Sequence, residues 1–193
     1  MKTASVDRSK DWTVDDYLLL GEMSTFCELI NGELIMSPSP TPYHQIVVGN
    51  LYDILKAYSR KRNDLVFFAP MDLYIDRKNV FQPDLIYVSE ANKKIITERG
   101  IEGVPDVVVE VISPSNIFSD RNRKKKTYQD ILVGEYWIVD PANKTFEIYH
   151  KDQADKDSPI LYLAEEGIVN SQILSAIRLS RLALFRPFVH GCV

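Results

Sequence analysis

Apolar residues recur at two spacings along this chain, and the switches between them mark the elements. Ile46, Val47, Leu51, Ile54, Leu55 and Tyr58 return every three to four positions, which predicts a helix up to about Arg62 with His44 in its first turn. Elsewhere the apolar positions form short β-forming runs. Residues 26–30 and 33–36 flank Asn31-Gly32, a strong signal for a two-residue hairpin. That hairpin pairs Ile30 with Glu33 and Glu28 with Ile35, so Glu28, Ile30, Glu33 and Ile35 share one face. Residues 65–76 read as one strand, Arg77-Lys78-Asn79 as a turn, and residues 80–88 as the neighbouring strand. A loop with a short helix, 89–104, leads to a strand over 105–112 that is apolar enough to be buried on both faces. Further strands fall at 135–140, 145–149, 159–164 and 168–174. Thr13-Val14-Asp15-Asp16 forms a capping box for a short first helix. A second substantial helix spans 120–132 and ends with Gly134 at its C′ position, and a helical turn closes the chain at 182–185.

Strands early, in the middle and late, with helices interleaved, predict an α/β chain whose mixed β-sheet is flanked by helices and preceded by a β-hairpin. The 193 residues are expected to form one domain over 13–187, after a flexible N-terminus, 1–12, and before a tail, 188–193. The longest apolar runs fall far short of the roughly 20 residues that span a bilayer, and no secretory signal is visible, so a cytoplasmic, membrane-free protein is expected. Two cysteines, Cys27 and Cys192, make no disulfide framework.

Two carboxylates stand out against this pattern. Asp84, after Pro83, opens Leu85-Ile86-Tyr87-Val88; Glu110 interrupts Val107-Val108-Val109 and Val111-Ile112. A charge in such a run is costly to bury unless something pairs with it. Two acids on neighbouring strands with a lysine close behind suggest a site for Mg²⁺ or Mn²⁺, which favour oxygen ligands. Asp106 competes for the role of first acid, but four residues along one strand separate it from Glu110 by ~13 Å. The lysine lies among Lys124, Lys125 and Lys126. Tyr128, Ile131 and Leu132 mark the buried helix face; Lys124 sits one turn before Tyr128, whereas Lys125 aligns with Gln129 and solvent.

Net charge is −4, which argues against broad binding of nucleic acid. Yet Arg121, Arg123, Lys124, Lys125 and Lys126 place five cations in six residues just after the Glu110 strand. Arg121, Arg123 and Lys125 are therefore candidate contacts to a polyanion, with a solvated helix face as the plain alternative. No G-x-S-x-G elbow, Gly-rich phosphate loop or zinc-ligand spacing around His150 or His190 appears, so no small-molecule cofactor is expected.

Several segments together carry a family resemblance: Glu28 to Leu34, Ser37-Pro38 with His44, Pro83-Asp84-Leu85, Arg99 to Asp106, Val109 to Ser115, Asp120 through Lys124 to Tyr128, and Glu135 to Pro141. In this order they resemble the Uma2 family of restriction-endonuclease-like proteins, within the PD-(D/E)XK nuclease superfamily. The resemblance implies a metal-dependent endonuclease that hydrolyses DNA phosphodiester bonds, usually as a homodimer. It implies Asp84 and Glu110 as metal ligands, Lys124 as the catalytic lysine, and the Val111 carbonyl as a further ligand. The superfamily pattern expects lysine two residues after the second acid, where this chain has Ile112, so the lysine has migrated to the following helix. Glu33 or Glu28 would be a further ligand or orient a water, with exposed strand acids as the ordinary alternative; His44 would contact phosphate or the metal's surroundings, or only cap its helix. The competing reading is a catalytically inactive nucleic-acid-binding or structural module on the same fold.

Overall fold

The structure is a computed structural model, and it describes residues 10–21, 27–36, 38–113, 117–164, 168–175, 177 and 179–186. Phe26, Ser37, Pro114, Ser115, His190, Cys192, residues 1–9 and the tail after 187 lie outside the described residues.

The Asn31-Gly32 hairpin forms in the predicted register, between β1 (Cys27–Ile30) and β2 (Glu33–Met36). Both turn residues take positive φ, Asn31 at 52° and Gly32 at 78°, as a two-residue hairpin requires. The first predicted helix is α1 (Val14–Leu18), with Thr13 and Asp16 closing its capping box; α2 follows at Pro42–Ser59, with Thr41 as its N-cap.

The strand predicted over 65–76 is two strands, β3 (Leu65–Phe68) and β4 (Leu73–Asp76), in different sheets. The run predicted over 80–88 divides in the same way, into β5 (Asn79–Phe81) and β6 (Leu85–Val88). Pro70 and Pro83 mark the breaks, since a proline has no N–H for a ladder. After a 3₁₀ turn at Glu90–Ile95 come β7 (Ile101–Glu102) and β8 (Val107–Val111). A π-helical turn, Ser119–Lys124, leads into α3 (Lys125–Asp130). The chain continues through β9 (Glu135–Asp140), β10 (Thr145–His150), β11 (Leu161–Leu163), β12 (Ile168–Val169), β13 (Leu179–Ser180) and α4 (Arg181–Leu184).

Two further expectations are corrected. The left-handed residue after α3 is Leu132, φ 61°; Gly134 is needed because a Cβ there would lie 2.5 Å from the Asp106 carbonyl oxygen. The strand expected over 168–174 stops at Val169, because the Gln172 and Ile173 N–H groups donate to the Glu135 carboxylate instead of a ladder.

The strands form a five-stranded sheet, β2-β1-β5-β4-β7, a six-stranded sheet, β11-β10-β9-β8-β6-β3, and a two-stranded ribbon of β12 and β13. Each larger sheet is mixed, through the parallel pairs β4/β7 and β8/β9. Strand alternation gives the six-stranded sheet two apolar faces. On one face, Val107 and Val109 pack with Leu85, Trp137 and Phe146 beneath Val47, Leu51 and Leu55 of α2. On the other, Val108, Ile86 and Ile138 pack with Tyr128 of α3 and with Ile30, Leu73 and Phe81 of the second sheet. Glu110 shares the parity of Val108, so its carboxylate enters this second layer, where two sheets and a helix meet.

Candidate active site

β6 and β8 pair antiparallel as Leu85 with Val109, Ile86 with Val108 and Tyr87 with Val107; one more step in that register sets Asp84 opposite Glu110. Directly opposite residues project to the same face of a sheet. Asp84 sits at the joint where the chain passes from one sheet to the other, and its Oδ2 accepts the Val111 N–H at 2.7 Å. The Val111 carbonyl accepts from His44 Nε2 at 2.8 Å, and the same nitrogen lies 3.4 Å from Asp84 Oδ2. The Thr41 cap, accepting the His44 N–H at 3.2 Å, fixes the helix start and hence the imidazole.

The opposite wall comes from the π turn. Lys124 is 3% exposed, and its ammonium lies 2.8 Å from Glu28 Oε1, 3.0 Å from Glu110 Oε1 and 3.5 Å from Asp120 Oδ1. Each surrounding group is anchored. The Gln82 N–H donates to Glu28 Oε1 at 2.7 Å, the Tyr128 hydroxyl donates to Glu110 Oε1 at 3.1 Å, and the Tyr136 hydroxyl donates to the Asp120 carbonyl at 2.9 Å.

The electrostatics are unbalanced. Burial, then the neighbouring Asp120, Asp84 and Glu28, hold the Glu110 carboxyl well above the ordinary range despite Lys124. Burial, with Glu28 and Asp84, pushes Asp120 up to about 6 against the pull of Lys124. Burial alone would lower the Lys124 pKa, but Glu110, Glu28 and Asp120 outweigh it and raise it well above normal. For His44, burial again works downward and is outweighed by Asp84, the Val111 carbonyl and Asp120. Four carboxyl groups thus crowd two cationic side chains, and Glu110 and Asp120 resist ionising there. Among the described residues, the buried side-chain polar atoms without a hydrogen-bond partner are His44 Nδ1, Ser119 Oγ and Asp120 Oδ1. All three lie in or beside this cluster.

Asp84, Glu110, Lys124 and His44 are therefore brought together. Glu33 is not: it is exposed and pairs with Arg123 at 2.9 Å, while Glu28, two pairs further down the hairpin, enters the cluster. Of the proposed polyanion contacts, Arg121 binds Glu147 at 2.7 Å and lies 3.7 Å from Asp140. Arg123 holds Glu33, and Lys125 donates to the Asp157 carbonyl at 2.9 Å and sits 4.1 Å from the Tyr149 ring centroid. Asp106 accepts from the Ser89 N–H at 2.7 Å and the Ser89 hydroxyl at 3.1 Å, a local turn anchor. Asp120 was not singled out from the sequence. Its signal is the spacing Asp120-x-x-x-Lys124, which puts both on one helix face.

The donor set fits a divalent cation. Crowded acids that resist ionising and an Asp120 oxygen without a hydrogen-bond partner are what a hard cation would relieve. Among the described residues no three His, Cys, Asp or Glu side chains form a ready metal cage. Two carboxylates with water or phosphate oxygens are enough for Mg²⁺.

Comparison with known proteins agrees with this architecture. The chain is similar to an uncharacterized Synechocystis protein, sll1609, at 28% identity over 149 residues, covering 76% of this chain and 84% of that one. The fold matches the crystal structure described as "a putative nuclease belonging to DUF820" from Anabaena variabilis, with a TM-score of 0.75 and 20% identity over 90% of this chain and 97% of that one. The model of a family described as "Uma2: Putative restriction endonuclease" matches residues 14–181, and this chain belongs to that family.

Proposed function

We propose that this protein is a divalent-cation-dependent nuclease that hydrolyses phosphodiester bonds of DNA. The observation that carries the reading is the convergence of half-buried Asp84 and buried Glu110 from paired strands, with the Lys124 ammonium held against Glu110. Asp84 and Glu110 would hold Mg²⁺ or Mn²⁺. When bound, such an ion polarises a phosphoryl oxygen and lowers the pKa of its water. Lys124 supplies positive charge where it develops on the phosphate, and Glu28 is the positioning residue that keeps the ammonium in place. His44 orients Asp84 through the Val111 peptide.

The experiment is plasmid nicking by purified protein with Mg²⁺ or Mn²⁺ beside a Glu110→Ala control. Metal-dependent nicking lost at least 100-fold in the control is expected. Equal nicking by both proteins, or none by either, counts against the reading.

One observation favours an inactive module. Arg121, Arg123 and Lys126 are each paired with a carboxylate and Lys125 with a backbone carbonyl, so the cationic strip is partly neutralised before any polyanion arrives. Under that reading Mn²⁺ does not bind at millimolar concentration.

A further inference from the structure

We infer that Asp120 is a third acidic ligand of the divalent cation, contributed by the helix rather than by a strand. The inference rests on the cation reading proposed above and adds a residue to it.

Asp120 is 2% exposed, yet its Oδ1 has no hydrogen-bond partner. The nearest cation, Lys124, is 3.5 Å away and already engaged at 2.8 and 3.0 Å by Glu28 and Glu110. If Asp120 only held the lysine, it would be a poor holder, with two better acceptors in place. Leaving a carboxylate oxygen buried and unpartnered is costly, and such atoms call for a missing ion or water. The backbone is also specialised there: Ser119–Lys124 is a π turn, a rare form that recurs at functional sites. Tyr136 pins the backbone of that turn through the Asp120 carbonyl, and the Asp120 side chain is buried in the cluster.

Glu28, Glu110 and Asp120 come from the hairpin, the central strand and the helix, and all three face one ammonium. Lys124 stands where the three acids demand positive charge. Cation binding at Glu110 and Asp120 would release that ammonium toward a phosphate, leaving Glu28 as its anchor.

The test is calorimetric titration of Mn²⁺, without nucleic acid, into the full chain, Asp120→Asn and Asp120→Glu, with urea unfolding of each metal-free protein. Asp120→Asn is expected to weaken Mn²⁺ tenfold or more while resisting urea at least as well as the unaltered chain, because it removes one buried acid from among its like. Asp120→Glu keeps the charge but moves the oxygen by one methylene, and is expected to weaken Mn²⁺ threefold or more even if the Asn variant does not fold. Unchanged Mn²⁺ affinity in either folded variant, with only urea resistance reduced, makes Asp120 a prop for Lys124; the inference is then overturned and the cation reading survives. Absence of Mn²⁺ binding by the unaltered chain at millimolar concentration overturns both.

Discussion

Glu110 and Glu135 are both buried glutamates on the adjacent parallel strands β8 and β9, and they are neutralised in opposite ways. Glu135, fully buried, accepts from the Trp137 indole at 2.7 Å, the Ser171 hydroxyl at 2.7 Å, and the N–H groups of Gln172 and Ile173 at 2.6 and 3.1 Å. Four neutral donors satisfy both oxygens and tie the segment after β12 to the central sheet. Glu110 has one hydroxyl and one ammonium for company, among three other acids. Dipoles fixed on a carboxylate build structure. Charges of one sign gathered around too few of the other leave a site that a further cation would complete. Glu110 lies toward the C-terminal end of its strand, where α/β sheets tend to place ligands.

The same isosteric change at each position would break the contrast if it is wrong. Glu135→Gln sets an NH₂ group against donors that need an acceptor, at about 1–3 kcal/mol for each group left unpaired, so a loss of about 3 kcal/mol is expected in urea unfolding. Activity per folded molecule should be unchanged. Glu110→Gln keeps an acceptor for Tyr128 and for the Lys124 ammonium, which retains Glu28 and Asp120, and relieves like-charge crowding, so its metal-free stability should move by about 1 kcal/mol or less. A larger loss at position 110 than at 135 would reverse the assignment of roles.

The smallest effect belongs to a surface carboxylate. Asp16 is lowered to about 2, first by Lys10 and then by the Thr13 hydroxyl and N–H of its capping box. A depressed acid contributes stability above its unfolded pKa and loses it as pH falls through the folded one. The cap should therefore weaken between about 4 and about 2, with the Asp16 carboxyl titrating near the lower value by NMR. Titration near 3.8 would mean that the cap is not held in solution.

Much of this was legible in the sequence, and the gaps have physical causes. The hairpin register followed from Asn31-Gly32, and Asp84, Glu110 and Lys124 followed from charges set against apolar patterns. The sheet crossings at Pro70 and Pro83 were hidden because the apolar alternation continues across both breaks. Period alone also could not separate Glu28 from Glu33, which share a face. Their difference is depth: Glu28 lies inside a buried strand, whereas Glu33 follows the turn at a sheet edge. Asp120 escaped notice because a helix-start aspartate ordinarily serves as a cap, and a π turn leaves no mark in hydropathy.

Val111 holds Asp84 with its amide and His44 with its carbonyl, so what it contributes there is main chain. Side-chain scanning would pass over such a position, since Ile or Thr would present the same two groups. Only chemistry that edits the peptide unit, such as replacing the amide by an ester, reaches the contact. The joint between Asp84 and the imidazole is thereby sheltered from ordinary codon change.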